Sequence, residues 1–204
     1  MMAIKTANNN SMSAITALPS GVSAESLILL DTVTVTNAGN ITFDGNLATG
    51  FSSTYKEYIF KLIDIHPAND NVKYTFQVDT SGNTSYNQQC ASTFFRAAQD
   101  ESATTDFGYK TAEDQANGTS MQTLTGTIGN DNDQSACGTL HIFDPTSTTF
   151  VKHFIFRGHG YTHNDYAIDE FAAGYFNTTT ALDKITFAFT SGNQAGTIKM
   201  YGVV

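Results

Sequence analysis

Apolar and polar residues alternate in short runs along most of the chain, and this period of two constrains the fold more than any other feature. In residues 72–78, Val, Tyr, Phe and Val alternate with Lys, Thr and Gln. The closing segment, residues 184–204, shows the pattern on both sides of a turn at 191–196, so we interpret it as a β-hairpin. Because successive side chains of a strand point to opposite faces, each run predicts a strand with one buried face.

Clusters of Gly, Asn, Asp and Ser separate about ten such runs, an arrangement typical of two packed sheets. A chain of 204 residues is sufficient for one undivided all-β domain. We therefore predict an all-β fold, a two-sheet antiparallel β-sandwich, jelly-roll-like, over residues 26–204. The second strand is expected to pair with the first. The predicted strands are residues 27–35, 41–43, 58–63, 72–78, 90–97, 121–128, 139–143, 150–157, 173–176, 185–189 and 197–202.

Three segments have other predicted roles. Residues 111–118 are the single helix candidate, with capping residues at both ends. Residues 100–109, just before it, are predicted to form a polar loop at one end of the sandwich. Residues 58–63 are apolar on both faces except at Lys61, so this strand belongs in the middle of a sheet or has its second face covered by another subunit.

Residues 1–25 are rich in Ala, Ser, Asn and Thr and show no lasting period, so we predict an extended N-terminal docking arm. Its few apolar side chains cannot alone offset the entropy of ordering the segment. A neighbouring subunit is the natural binding partner for such an arm. The residues predicted to make the arm contacts are Met12, Ile15 and Leu18.

The composition argues against several classes of partner. Ten Lys and Arg against nineteen Asp and Glu give a net charge of -9, which would repel a phosphate backbone, so nucleic-acid binding is not expected. No run of eighteen apolar residues is present, so we expect no membrane insertion. Where a signal peptide would need its apolar stretch the chain reads Asn8-Asn9-Asn10, so export by that route is not expected. Without secretion, Cys90 and Cys137 are interpreted as two ordinary thiols.

Two segments resemble metal sites without completing one. Residues 130–135 alternate oxygen-bearing side chains as a calcium loop does, but lack its glycine and its closing glutamate. Three histidines and an aspartate cluster in residues 153–165, but two glycines break any helix that would put the imidazoles on one face. We interpret both segments as polar loops and predict neither a metal nor a cofactor. The clustered residues are His153, His159, His163 and Asp165.

The chain has no nucleophile elbow, no His-Glu-x-x-His helix and no glycine-rich phosphate loop. Asp64, Asp169 and Glu170 could supply the two carboxylates of a glycoside hydrolase. Adjacent residues in an extended segment point to opposite faces, however, which argues against Asp169 and Glu170 acting as one pair. We expect a non-enzymatic protein.

Loop tyrosines beside amides and carboxylates indicate recognition of a surface. A tyrosine ring stacks on a sugar or on a partner protein, and Asn and Asp side chains orient the bound group. Such residues concentrate in one segment, which we predict to be a recognition loop. Its residues are Tyr161, His163, Asn164, Asp165 and Tyr166.

Three further stretches carry a family resemblance. They are Ser53-Thr54-Tyr55-Lys56-Glu57-Tyr58 followed by Asp64-Ile65-His66-Pro67-Ala68; Asn130-Asp131-Asn132-Asp133-Gln134-Ser135 with Phe143-Asp144-Pro145; and the terminal Gly196-Thr197-Ile198-Lys199-Met200-Tyr201-Gly202. Through them, most of residues 15–204 resembles small virion-associated proteins of tailed marine bacteriophages, of the kind found in phages of cyanobacteria and pelagic bacteria. The resemblance implies a jelly-roll-like β-sandwich that assembles on the particle, as part of a tail, a fibre or the head surface, commonly as a trimer.

Our leading hypothesis is a non-enzymatic structural protein of a tailed phage virion. It would assemble through its N-terminal arm with other virion proteins and with copies of itself, as a homotrimer, and display the sandwich outward. A second hypothesis is a receptor-recognition module that binds a host surface glycan through the recognition loop. A third is a glycan depolymerase. The expected location is the virion.

Overall fold

A computed structural model describes residues 27–45 and 48–203. This part of the chain contains thirteen strands and no helix. The predicted arm, with Met12, Ile15 and Leu18, lies outside the described residues. The strands are β1 (Leu27–Ala38), β2 (Ile41–Phe43), β3 (Glu57–Pro67), β4 (Val72–Thr80), β5 (Cys90–Asp100), β6 (Thr105–Tyr109), β7 (Ala116–Gly118), β8 (Gln122–Ile128), β9 (Ala136–Phe143), β10 (Lys152–Tyr161), β11 (Tyr166–Phe176), β12 (Leu182–Phe189) and β13 (Gln194–Val203).

The strands form two antiparallel sheets around one core. The first sheet has nine strands, in the order β1-β13-β3-β9-β10-β11-β5-β6 with β7 also paired to β5. The second has four, in the order β2-β12-β4-β8. The quartets β1-β13-β3-β9 and β2-β12-β4-β8 have the connectivity of a jelly roll, in which the chain crosses repeatedly between two four-stranded sheets. The predicted β-sandwich is confirmed.

Five further strands enlarge the first sheet. β10 and β11 are inserted after β9, and β5, β6 and β7 are inserted between β4 and β8. All five continue the sheet beyond β9, and we call them the extension. β8 packs over β10 and β11. Because four strands cannot cover the inner face of nine, the inner sides of β6 and of the second half of β5 reach past the second sheet.

Aromatic rings fill the space between the two sheets. Phe187 of β12 lies among them, with its ring centroid 5.4 Å from that of Phe60 and 6.3 Å from those of Phe43, Tyr74 and Phe76. All five side chains are fully buried. Such ring pairs add stability beyond the apolar area that they bury.

The closing segment is not a hairpin, although both of its strands form. β12 pairs with β2 and β4 in the four-stranded sheet, whereas β13 pairs with β1 and β3 in the other. The connection at 190–193 therefore crosses between sheets. Both strands bury alternate residues in the same core from opposite sides, so a crossing connection has the same sequence pattern as a hairpin. The expected pairing of β2 with β1 is also wrong, because β1 lies in the nine-stranded sheet and β2 in the four-stranded sheet.

Residues 111–118 are not a helix. The Ser92 amide donates to the Gln115 carbonyl, and the Gln115 amide donates to the Ser92 hydroxyl, both at 2.9 Å. These bonds hold the segment along β5, where its last residues form β7. Pairing between distant residues has overridden a weak local helix signal. The predicted polar loop at 100–109 is also wrong in part, because Thr105–Tyr109 pair with β5 as β6.

β3 lies in the middle of the nine-stranded sheet, between β13 and β9, as its two apolar faces predict. Tyr58, Phe60 and Leu62 are buried in the core. Ile59 and Ile63 alternate with them and are half-buried on the opposite side. The strand therefore contributes apolar side chains to both surfaces of the sheet.

Candidate functional site

The side of the nine-stranded sheet that points away from the core, here called the outer face, carries most of the exposed large apolar side chains. Of eight such side chains among the described residues, seven lie on strands of this sheet. Ile155, in the central strand β10, is 52% exposed, and both of its sequence neighbours are buried. Alternation along the strand thus places it on the outer face. The seven are Leu27, Leu29, Phe95, Phe107, Tyr109, Ile155 and Tyr175.

Apolar side chains of the outer face form rows across the strands. The row through Ile155 consists of direct cross-strand neighbours from β1 to β5, and it contains no Asp, Glu, Lys or Arg. Contiguous apolar patches that are rimmed by polar residues mark sites of protein–protein interaction. The row is Leu29, Tyr201, Ile59, His141, Ile155, Ala173 and Thr93.

The next row holds the positive charges of the outer face. Lys199 and Lys61 are direct cross-strand neighbours, and Arg157 lies two strands farther on. Arg157 pairs with Asp169 at 2.9 Å and stacks on Phe171, with 4.9 Å between guanidinium and ring centre. Neither lysine has a carboxylate partner within the described part of the chain. Like charges directly opposite each other destabilise a sheet, so this pair favours a partner that brings a carboxylate.

The outer face is large enough for a stable interface. Its main path has eight strands, and with strands about 4.8 Å apart and about ten residues long it covers roughly 1,100 Å². A standard protein interface buries about 800 Å² on each partner. The outer face is therefore a candidate assembly surface.

A second surface lies on the inner side of the extension, next to the second sheet. Here β5, β6 and β11 meet the β10–β11 loop and the end of β8 around a cleft of about 260 Å³. Ala98 and Ile168 give the cleft an apolar part. Its polar lining residues are Arg96, Asp106, Thr127, Thr162, His163, Asn164 and Tyr166.

Arg96 lies between two carboxyl groups. Its Nη1 is 3.9 Å from Glu170 Oε1, and its Nη2 is 3.7 Å from Asp106 Oδ2. A hydrogen bond from Lys110 is the main cause that holds the pKa of Asp106 below its ordinary value. Glu170 is fully buried and accepts a 2.7 Å hydrogen bond from the Gly126 amide. Burial raises the pKa of Glu170 to about 8, so this group is mostly protonated at pH 7.

Several buried polar atoms around the cleft have no hydrogen-bond partner among the described residues. In the part of the chain that the structure describes there are six such side-chain atoms, and they include Arg96 Nε, His163 Nδ1 and Glu170 Oε1. Buried polar atoms in proteins are nearly always hydrogen-bonded. The neighbourhood of the cleft therefore has hydrogen-bonding capacity that the described residues do not use.

The structure divides the predicted recognition loop between two sides of the sheet. His163, Asn164 and Tyr166 line the cleft. Tyr161 and Asp165 instead line a shallow depression at the end of the outer face. Tyr161 is the last residue of β10 and Tyr166 the first of β11, so four residues connect the strands. The five residues do not form one binding surface.

Hydrogen bonds hold the β10–β11 loop in place. Gln134 is buried, and its Nε2 donates to the Thr162 carbonyl at 3.1 Å and to Asp165 Oδ1 at 3.4 Å. The Thr162 hydroxyl accepts from the amides of Asn164 and Tyr166. Gln134 belongs to the segment that resembles half a calcium loop, and here that segment supports the β10–β11 loop. The loop thus presents the cleft residues from a fixed position.

Sequence reasoning missed Arg96 and Asp106 as site residues. Arg96 is the only charged residue in the predicted strand 90–97, and this lone charge was the available signal. Asp106 belonged to a predicted polar loop, where nothing distinguished it from its neighbours. Their proximity depends on the pairing of β5 with β6, which the sequence pattern did not indicate.

The histidine cluster of the sequence does not converge. His153 and His159 are exposed positions of β10 on the outer face, whereas His163 lines the cleft. Among the described residues, no three His, Cys, Asp or Glu side chains are grouped so that they could hold a metal ion.

The three carboxylates considered for glycoside hydrolysis are also separate. Asp169 lies on the outer face and Glu170 in the interior, as alternation along β11 predicts. Asp64 lies on β3, where its amide is 3.4 Å from Cys137 Sγ. These residues do not form a facing pair.

The two cysteines are free and differ in accessibility. Cys137 is exposed on the outer face, where it is the cross-strand neighbour of His159. Cys90 is buried in the core, and burial raises its pKa to about 12. Reaction of the folded protein with a thiol reagent therefore reports on the outer face.

The outer face and the cleft are the two surfaces on which function can be argued. No family model and no curated protein matches the chain. Across residues 27–45 and 48–203, no helix has the length and apolarity needed to cross a membrane.

Proposed function

We propose that this chain is a non-enzymatic structural subunit of a tailed phage virion, which assembles with copies of itself and with other virion proteins. The observation that carries the proposal is the outer face, where a mostly apolar row, interrupted by His141 and ending at Thr93, continues across seven strands. Its area exceeds what a standard interface buries. The resemblance to virion-associated proteins of marine phages supports the same role, as does the frequency of jelly rolls among viral capsid domains.

A second copy of the chain is a suitable occupant of the outer face. Lys61 and Lys199 are neighbours without a carboxylate partner in the described residues. A chain with a net charge of -9 has an excess of carboxylates with which a second copy can meet these lysines. Contact between copies would therefore bury the apolar rows and neutralise the two lysines together.

Sedimentation equilibrium of the full chain tests the assembly. We expect a discrete oligomer, for which the resemblance implies a trimer. Ile155→Glu places a charge at the centre of the outer face and should shift the protein to a monomer. Ser81→Glu adds the same charge in an exposed turn outside this face and should leave the oligomer intact. A chain that stays monomeric at about 100 µM, or an oligomer that Ile155→Glu does not weaken, would contradict the proposal.

Incorporation into particles tests the virion assignment. Deleting residues 1–20 should leave a folded domain that no longer joins the phage particle, because the arm is proposed to dock on other virion proteins. The amount of the protein in purified particles measures the effect. Normal incorporation of the truncated chain would show that the arm has no docking role.

The cleft supports a second candidate function, recognition of a host surface glycan. An apolar part beside a few polar groups in fixed positions is typical of sites for small ligands. An array of host surface glycans, probed with the full chain, tests this function, and an absence of binding would leave the structural role alone. The depolymerase hypothesis stays a prediction, and the release of reducing ends from host polysaccharide would test it.

A further inference from the structure

We propose that the cleft binds one neutral sugar ring of a glycan, held by Arg96, Asp106, His163 and Asn164. The proposal rests on glycan recognition as the second candidate function and assigns that function to a definite place. The proposed site keeps His163 and Asn164 of the predicted recognition loop but not Tyr161 and Asp165. It adds Arg96 of β5 and Asp106 of β6.

The size and lining of the cleft fit a single ring. Its volume of about 260 Å³ is just below the roughly 300–1,000 Å³ of pockets that enclose a drug-sized ligand. A sugar ring has an apolar side of C–H groups and an edge of hydroxyl groups. Ala98 and Ile168 can contact the apolar side of the ring, and the polar residues around them can bond to its hydroxyl groups.

The polar groups are complementary to hydroxyl groups. A guanidinium only donates hydrogen bonds, and an ionised carboxylate only accepts them, whereas a hydroxyl does both. Arg96 and Asp106 lie 3.7 Å apart, so two adjacent hydroxyls of one ring can bond to both residues at once. His163 also lines the cleft, and the exposed Asn164 amide adds a donor and an acceptor.

The charge balance favours a neutral ring over an acidic one. The two cations near the cleft, Arg96 and Lys110, already share the carboxylate of Asp106. The chain as a whole carries a net charge of -9, which repels an acidic polysaccharide. A neutral ligand avoids this repulsion and exchanges hydrogen bonds with water for hydrogen bonds with the protein.

The loop residues of the site are preorganised. Gln134 and the Thr162 hydroxyl fix the loop that carries His163 and Asn164. The His163 amide also donates to the Thr127 carbonyl of β8, at 3.4 Å. Binding therefore does not require this loop to become ordered, which would weaken the affinity.

Saturation-transfer NMR on the full chain tests the assignment. The probes are glucose, galactose, mannose and N-acetylglucosamine, with glucuronic acid as the acidic comparison. We expect binding of at least one neutral sugar, with an affinity that falls about tenfold or more in His163→Ala and Asn164→Ala. Tyr161→Ala and Asp165→Asn change the same loop on its other side and should alter the affinity less than about twofold. Circular dichroism checks that all four variants fold.

The outcomes separate this assignment from the function on which it rests. If neither the glycan array nor any of the monosaccharides shows binding, both fail. If a glycan binds but the cleft variants bind it as well as the wild type, or if only Tyr161→Ala loses binding, the cleft assignment alone is overturned. Binding of glucuronic acid without any neutral sugar would also overturn it.

Discussion

The jelly-roll quartets and the extension use the same pleated strands but differ in what their inner faces carry. In the quartets, the inner positions hold rings such as Phe60 and Phe187, each facing the opposite sheet. Toward the edge of the extension, Arg96 and Glu170 occupy inner positions and point toward β8. The composition of a strand thus follows what covers it. Where the second sheet ends, polar residues replace the core and leave a cleft.

The largest expected effect is a difference in the free energy of unfolding between substitutions in the core and in the extension. Phe187→Ala removes a ring that contacts four others and should lower the free energy of unfolding by about 3–5 kcal/mol. Phe107→Ala in β6, where the ring is 79% exposed, should change it by less than about 0.5 kcal/mol. Urea denaturation measures both, at concentrations where the chains are dissociated, because Phe107 lies on the outer face. Similar losses at the two positions would mean that the extension is as tightly packed as the core.

Glu170, which lies in the extension, should make the free energy of unfolding depend on pH. Burial raises its pKa from the ordinary value of 4.5 to about 8, so the unfolded chain loses this proton first as the pH rises. The contribution of protonated Glu170 to the stability of the folded protein is complete below about pH 4.5. This contribution is lost as the pH rises through about 8. We expect the free energy of unfolding to fall by about 3 kcal/mol between pH 5 and pH 8.

Glu170→Gln tests the origin of this dependence. The amide oxygen can still accept from the Gly126 amide, and the side chain no longer ionises. The decline in stability between pH 5 and pH 8 should therefore disappear in this variant. If the variant and the wild type decline in parallel, other groups cause the dependence.

A smaller effect is expected at the support of the β10–β11 loop. Gln134→Ala removes the bonds to Thr162 and Asp165 and should cost about 1–2 kcal/mol. Amide exchange in residues 163–166 should accelerate more than in β12, because the loss is local. Asn130→Ala, which removes one exposed bond of 3.4 Å from the same segment, is the control. Equal acceleration in the loop and in β12 would show that the two regions are not independent.

The sequence predicted the core because burial follows the period of two. The alternating phenylalanines of β12 and the alternate apolar residues of β4 are buried as predicted, although the polar Thr75, Gln77 and Asp79 between the latter are buried as well. The same pattern does not say which strands are neighbours. β12 and β13 therefore resemble a hairpin, although the chain between them changes sheets.

The edge of the extension was harder to predict. β6 has exposed residues at four of its five positions, so it lacks the alternation that marks a half-buried strand. β7 is three residues long and depends on hydrogen bonds to β5. Such segments are strands only because a neighbouring strand offers them partners.

The recognition role of residues 161–166 stays a prediction, but the structure shows that this segment has two sides. A sequence segment does not show that His163 and Asn164 face one side of a sheet and Tyr161 the other. The sequence of the segment also does not show that Arg96 lies beside the loop. This placement follows from the pairing of β11 with both β10 and β5.

The reactivity of Cys137 toward maleimide tests most directly whether copies of the chain bury the outer face. Dissociated chains at low concentration should react rapidly, because this thiol is exposed in the single subunit. At concentrations where sedimentation detects the oligomer, the rate should fall by at least about tenfold. Cys90, which is buried in the core, should react only after unfolding. A Cys137 rate that stays the same in the oligomer would contradict assembly through the outer face.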